Sequence, residues 1–223
     1  MSKKRLLLIG AGEFAQWCYE YFTSDSDYQV VGFTVDGAHL DEPSLNGLPV
    51  VPWEEAERLF APACHQAFVA ASYTGLNRLR SRFYNEASSK GYQLASYISS
   101  QASVNPKAQV GDNALILEYC SLQPYSRVGN NITMGMGSCI SHHSSLGDHN
   151  FLSVHVVIAG KAQIADYCFF GANSTIFDHC SIGSNCIVGA GSLVETSLPD
   201  YSLVKAGPSQ VLSLDPERTK YFA

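Results

Sequence analysis

Five of the seven histidines of this 223-residue chain fall between positions 142 and 179. Two are adjacent, in the run Ile140-Ser141-His142-His143-Ser144-Ser145-Leu146-Gly147-Asp148. Imidazole exchanges protons near neutral pH, so an accessible histidine is the usual side chain for general acid–base chemistry. A second group lies near the N-terminus. Lys4-Arg5-Leu6-Leu7-Leu8-Ile9 runs into Gly10-Ala11-Gly12-Glu13-Phe14-Ala15, and Asp36 ends the apolar stretch after that. A G-x-G-x-x-A turn between strand and helix brings phosphate to a helix N-terminus, and an acid at the end of the next strand holds a ribose. The competing reading is that Gly10 and Gly12 only make a tight turn.

Both groups need elements to position them. From Ile98 through Val104, Val110, Ile116 and Leu122 to Val194, every sixth residue is apolar. Small residues such as Ala108, Cys120, Ser126, Ser138 and Cys168 stand two places before it. Turn formers such as Gly111-Asp112, Gly129-Asn130 and Gly147-Asp148 follow it. Residues two apart on a strand face the same way, so the apolar and the small residue both point inward. A period of six does not match an α-helix. It predicts a left-handed parallel β-helix of about five to six triangular coils, each of about eighteen residues.

The preceding part alternates. Strands are expected at 4–9, 28–36, 66–72 and 92–98. Helices are expected to about Phe22, over Trp53–Phe60 and over 75–89, with an extended connector at Leu48–Pro52. This predicts a small parallel sheet, half of a dinucleotide-binding domain. The expected fold class is therefore α/β + β: a half-Rossmann domain over 1–98, a left-handed β-helix over 99–197, and a tail over 198–223 packed on the β-helix. Arg78, Arg80 and Arg82 are expected on a solvated helix face.

On such a prism, residues one coil apart are neighbours. His142, at an outward corner, then lies between Pro124 and Gly160. Gly160 is expected to leave a pit beside the imidazole, with a backbone N–H in reach. A base next to a free N–H is what acyl transfer requires. His143, between Tyr125 and Lys161, either orients His142 or faces water. His149 and His155 are expected at corners of other rungs. The H-x-x-x-x-H spacing expected of a zinc site on such a coil is absent, so no metal is expected.

Composition narrows the class further. The chain is 46% hydrophobic and 15% charged, with a net charge of −6, and its longest basic run is Lys3-Lys4-Arg5. No nucleic-acid partner is expected. No apolar run approaches the ~18 residues of a membrane span, and the apolar start stops too soon for a signal peptide. Four of seven cysteines take the small inward position and none forms CxxC. They read as buried thiols of a reducing, cytoplasmic protein.

Several stretches together resemble one family. They are Ile9-Gly10-Ala11-Gly12, Phe68–Ser72 with Arg78 after it, Ile140–Asp148, Ala159-Gly160, Phe169–Ser174, Val188–Gly191 and Ala206–Pro208. In order and spacing they are similar to the bacterial nucleotide-sugar acetyltransferases of the sialic-acid O-acetyltransferase and bacillosamine N-acetyltransferase group. The resemblance implies a homotrimer using acetyl-CoA, with active sites in clefts between β-helices and a nucleotide-linked amino sugar as substrate. It assigns His142 as catalytic base, with His143 beside it, and the Gly160 N–H to the thioester carbonyl. Ala172 and Ala190 lie along the CoA arm. Gly10, Ala11, Gly12, Glu13, Phe14, Asp36 and Ser72 form the nucleotide-sugar cradle. N-acetylation is expected; the alternatives are O-acetylation of a sialic-acid-like sugar and a non-catalytic trimeric scaffold. This chain departs from the family in four places. His143 replaces the Asp or Glu that usually follows the base, and Phe151 stands where some members carry a second histidine. Glu13-Phe14 replaces Gly-His, and Ser209 replaces the alanine of a terminal motif.

Overall fold

The computed structural model describes residues 3–207. Its first part comprises β1 (Lys4–Ile9), α1 (Glu13–Ser24), β2 (Tyr28–Val35), β3 (Ser44–Leu45), β4 (Leu48–Pro52), α2 (Ala56–Leu59), β5 (Gln66–Val69), α3 (Arg78–Ser89) and β6 (Gln93–Leu94). The strand order is β3-β4-β2-β1-β5-β6, parallel except for the β3/β4 hairpin. β1 is central, and Leu6, Leu7, Leu8 and Ile9 are all fully buried. A strand covered on both faces reads as an unbroken apolar run, as this one does. β2 lies on one side of β1 and β5 on the other, so the loops leaving these three strands open on one crevice.

Three local expectations need correction. Leu48–Pro52 is a sheet strand, pairing Val50 with Phe33 and Val51 with Thr34. Val50 and Val51 are buried, and that burial outweighs the two flanking prolines. The helix expected over Trp53–Phe60 is a 3-10 turn, Trp53–Glu55, followed by the single turn of α2. The strand expected over 92–98 breaks at Ala95-Ser96. β6 closes the α/β sheet, and Tyr97–Ile98 starts the next structure.

That structure is the left-handed β-helix. Its two-residue rungs stack into three parallel sheets of seven, six and five strands. Partners lie one coil apart: Ser103 pairs with Ser121, Ser121 with Cys139 and Cys139 with Val157. Ile116, Met134, Ile140, Leu152, Ile158, Phe170 and Ile176 are fully buried, as the period predicted. Most of the small inward residues are buried too, and two of their hydroxyls bond across coils, while Ser174 Oγ and Ser192 Oγ have no partner among the described residues. Ser138 Oγ donates to the Ser153 carbonyl (3.0 Å) and Ser144 Oγ to that of Ala159 (2.7 Å). Ile98 also points inward but is 40% exposed, because no coil lies beneath it.

The corners differ from expectation in one respect. From Val110 to Val188, positive φ falls on the third residue after each apolar position, at Asn113, Tyr119, Tyr125, Asn131, Gly137, His143, His149, His155, Lys161 and onward. The glycines directly after the apolar residues serve close approach instead. A Cβ at Gly129 would lie 2.4 Å from Asp148 Oδ1 and 2.8 Å from the Gly147 carbonyl carbon. The coil also outlasts Val194. Leu198 bridges Ile182, and Leu203–Val204 pairs with Ile187–Val188. The tail from Pro208 on, Ser209 included, lies outside the described residues.

The α/β part packs on one face and one corner of the prism. Phe14 and Tyr73 meet Phe151, with ring centroids 6.3 and 5.0 Å away. α3 runs along the corner ladder Asn113, Asn131, His149, Tyr167. Of its three arginines only Arg80 leaves the solvated face; Arg78 and Arg82 stay exposed. Arg80 is 1% exposed and donates to the Asn131 carbonyl at 2.7 Å. Burial draws its pKa down to about 10. Arg78 lies 3.8 Å over the Tyr167 ring and bonds Asn185.

His149 sits at the centre of this ladder, with Nδ1 2.9 Å from Asn131 Nδ2. Its pKa lies below the ordinary 6.5. Burial is the largest cause; Asp148 and Asp166 oppose it, while Arg80 and Arg78 reinforce it. The unfolded chain therefore binds more protons once pH drops below about 6.5, and stability falls there. Melting temperature should decline from pH 7 to pH 5. His149→Asn, which suits the positive φ, should melt lower at pH 7 but decline less; an equally steep decline in the variant removes His149 as the cause.

Candidate active site

His142 follows the rung Cys139–Ile140 at the corner between the six-stranded and five-stranded sheets. The side chain is exposed. Its backbone N–H donates to Gln123 Oε1 at 3.1 Å, which fixes the corner. The imidazole lies against Gly160: a Cβ there would be 2.8 Å from Cε1 and 2.9 Å from Nε2. The glycine thus leaves no empty pit, because the ring itself occupies that space. Any larger residue at 160 displaces the ring. The Gly160 N–H donates to no protein acceptor among the described residues.

His143 Nδ1 is 3.3 Å from His142 Nδ1, so one of these nitrogens carries a proton and the other accepts it. The ring of His143 lies against Tyr125 at 4.8 Å, tilted 33°. The Tyr125 hydroxyl accepts from Lys107 Nζ at 2.9 Å. His143 is therefore held by its φ of 59° and by an aromatic face, without a carboxylate partner among the described residues.

Ala172 and Ala190 stand at a different edge. They follow the rungs Phe169–Phe170 and Ile187–Val188, at the corner between the seven-stranded and six-stranded sheets. Their N–H groups also lack protein acceptors among the described residues. At the third edge, by contrast, neighbouring coils cap such groups. Asn130 N–H donates to Asp148 Oδ1 and Asp148 N–H to Asp166 Oδ1. Within one chain, then, the His142–Gly160 edge and the Ala172–Ala190 edge are not brought together.

The N-terminal residues do converge. Gly10, Ala11, Gly12, Glu13, Phe14, Asp36 and Ser72 all line one cleft of about 730 Å³. The two glycines differ in their reasons for being glycine. Gly10 has φ 132°, and a Cβ there would be 2.4 Å from the Ala70 carbonyl oxygen. Gly12 has φ −85°, and a Cβ there would touch nothing within 4 Å. The first makes the turn; the second leaves space over the start of α1, whose N-cap has no side-chain hydrogen bond. Trp17, His39, Tyr73, Thr74, Leu79 and Phe83 also line the cleft. Sequence reasoning missed these six, although Tyr73 and Thr74 could have been found as the residues after β5 at the reversal of strand order. Among the described residues, no His, Cys, Asp and Glu side chains group to hold a metal ion. No helix among them is long and apolar enough to cross a membrane.

Residues 163–207 match the family model of the hexapeptide repeat of succinyl-transferase. No curated protein sequence matches the chain. Among solved structures, PerB from Caulobacter crescentus in complex with CoA and GDP-perosamine is 26% identical, with a TM-score of 0.79, covering 89% of this chain and 92% of that one. A variant of perosamine N-acetyltransferase from the same organism is 25% identical, with a TM-score of 0.80, covering 89% and 91%. The acetyltransferase domain of PglB from Neisseria gonorrhoeae, 22% identical, shares the fold with a TM-score of 0.81 over 94% and 100%. The chain is an acyltransferase whose hexapeptide repeats wind as a left-handed β-helix. It is similar to the nucleotide-sugar N-acetyltransferases, the resemblance its motifs had carried.

Proposed function

We propose that this protein transfers the acetyl group of acetyl-CoA to the amine of a nucleotide-linked amino sugar, in a trimer whose sites lie between neighbouring β-helices. One observation carries the reading: an exposed imidazole, His142, lies against a glycine whose N–H has no acceptor among the described residues. The neutral amine attacks the thioester carbon. His142 Nε2 takes the amine proton as the C–N bond forms, and the Gly160 N–H donates to the oxygen that gains charge. The tetrahedral adduct collapses, the C–S bond breaks, and CoA leaves as thiolate. His143 Nδ1 accepts from the Nδ1–H of the imidazolium. The N–H groups of Ala172 and Ala190, without acceptors among the described residues, suit the amide-bearing arm of CoA, which requires their edge from a second copy. The cleft beside α1 would take the nucleotide, with backbone N–H groups meeting the diphosphate.

The similarity to perosamine N-acetyltransferase favours amine over hydroxyl acceptors. The test is CoA release from acetyl-CoA with matched amino and hydroxy nucleotide sugars. Turnover confined to the amino member is expected. Turnover of the hydroxy member alone would make the protein an O-acetyltransferase, and none with either would leave a scaffold.

A further inference from the structure

We infer that the cleft selects a ribonucleotide over a deoxyribonucleotide, and that Arg82 sets this selection by holding Asp36 in place; the inference rests on the nucleotide-sugar reading above. Asp36 stands at the end of β2, where dinucleotide-binding folds place an acid against a ribose. It lines the cleft. Its carboxylate does not serve its own loop, because the Gly37 N–H bonds Glu54 Oε2 instead, at 3.1 Å.

The carboxylate is gripped from behind. Arg82 of α3 donates from Nη1 to Oδ1 at 3.1 Å and from Nη2 to Oδ2 at 2.6 Å. Arg82 is itself fixed. Its Nη1 also bonds Glu86 Oε1 at 3.1 Å, and its guanidinium lies 4.1 Å over the Phe83 ring. Glu86 in turn accepts from Trp53 Nε1 at 2.6 Å. Such a two-point fork fixes the plane of a carboxylate as well as its position. A carboxylate accepts about four hydrogen bonds, and the fork uses one on each oxygen. One site per oxygen remains for the cleft side, a spacing suited to two adjacent hydroxyls. A ribose offers both; a 2′-deoxyribose leaves one acceptor unmatched. The pair would contribute little as a half-exposed surface ion pair.

The experiment is calorimetric titration of the full chain with UDP and GDP and with their 2′-deoxy counterparts. The wild-type protein should bind the ribonucleotides about tenfold tighter or more, the scale of a hydrogen bond to a charged group. Arg82→Gln and Asp36→Asn should bring that ratio close to one while the melting temperature stays nearly constant. Arg82→Lys, a point charge without a fork, should fall between. Equal wild-type affinities for ribo- and deoxyribonucleotides overturn the inference and leave the acetyltransferase reading standing. So does a ratio that survives Arg82→Gln. Failure to bind any nucleotide overturns both.

Discussion

Replacing His142 with alanine should lower kcat by about a hundredfold or more, the usual scale for loss of a general base. The melting temperature should be unchanged, since the ring is exposed and leaves no cavity in the core. KM for both substrates should change little, because the proton moves only in the transition state. Activity should not return at higher pH. An amine that attacks without the base must shed its proton to water, and raising pH does not supply the missing nitrogen. His143→Ala should cost less, since it removes the neighbour of the base and keeps the base. Equal losses in the two variants would mean the adjacent rings act as one unit.

Gly10→Ala should be among the most damaging single-methyl changes in the chain, while Gly12→Ala should be nearly silent for folding. At Gly10 the backbone lies at φ 132°, and the new methyl would meet the Ala70 carbonyl oxygen at 2.4 Å. Backbone strain together with that clash costs about 3 kcal/mol or more. For a chain of this size that lowers the melting temperature by about 6–12 °C. At Gly12 the methyl enters open space. Its expected effect is on ligand, since a backbone that must approach a diphosphate closely has no room for a side chain. The Kd for a nucleotide sugar should rise about tenfold, the scale of one hydrogen bond to a charged group. Thermal melts and titrations of the two variants check both halves. Equal melting points for the two would contradict the division of labour between the glycines.

The interior of the prism was legible because its signal is periodic and local. Ile116, Ile140 and Ile158 are buried by a spacing that any reader of the chain can count. The first turn was legible for the same reason, since Gly10, Gly12 and Asp36 are near in sequence. What stayed hidden depends on packing between distant segments. Nothing local marks Arg80 as buried or Arg82 as the partner of Asp36, because both outcomes depend on where α3 lies on the corner ladder. Leu48–Pro52 reads as an extended connector, whereas burial of Val50 and Val51 makes it a sheet strand. The left-handed corners held His143, His149, His155 and Lys161 where the chemistry of turns favours Gly and Asn. There the stacked hydrogen bonds of the coil outweigh local preference. The edge to which each of these corner residues belongs follows from counting rungs.

That count leads to the decisive experiment. His142 and Ala172 occupy different edges of the same prism, so the proposed site takes one edge from each of two copies. Two inactive variants, His142→Ala and Ala172→Trp, should be unfolded together and refolded at equal concentration. If each site combines edges from neighbouring copies of a cyclic oligomer, random assembly restores about a quarter of wild-type activity. If the mixture stays as inactive as the separate variants, the two edges do not share a site, and acetyl transfer between β-helices is not how this protein works.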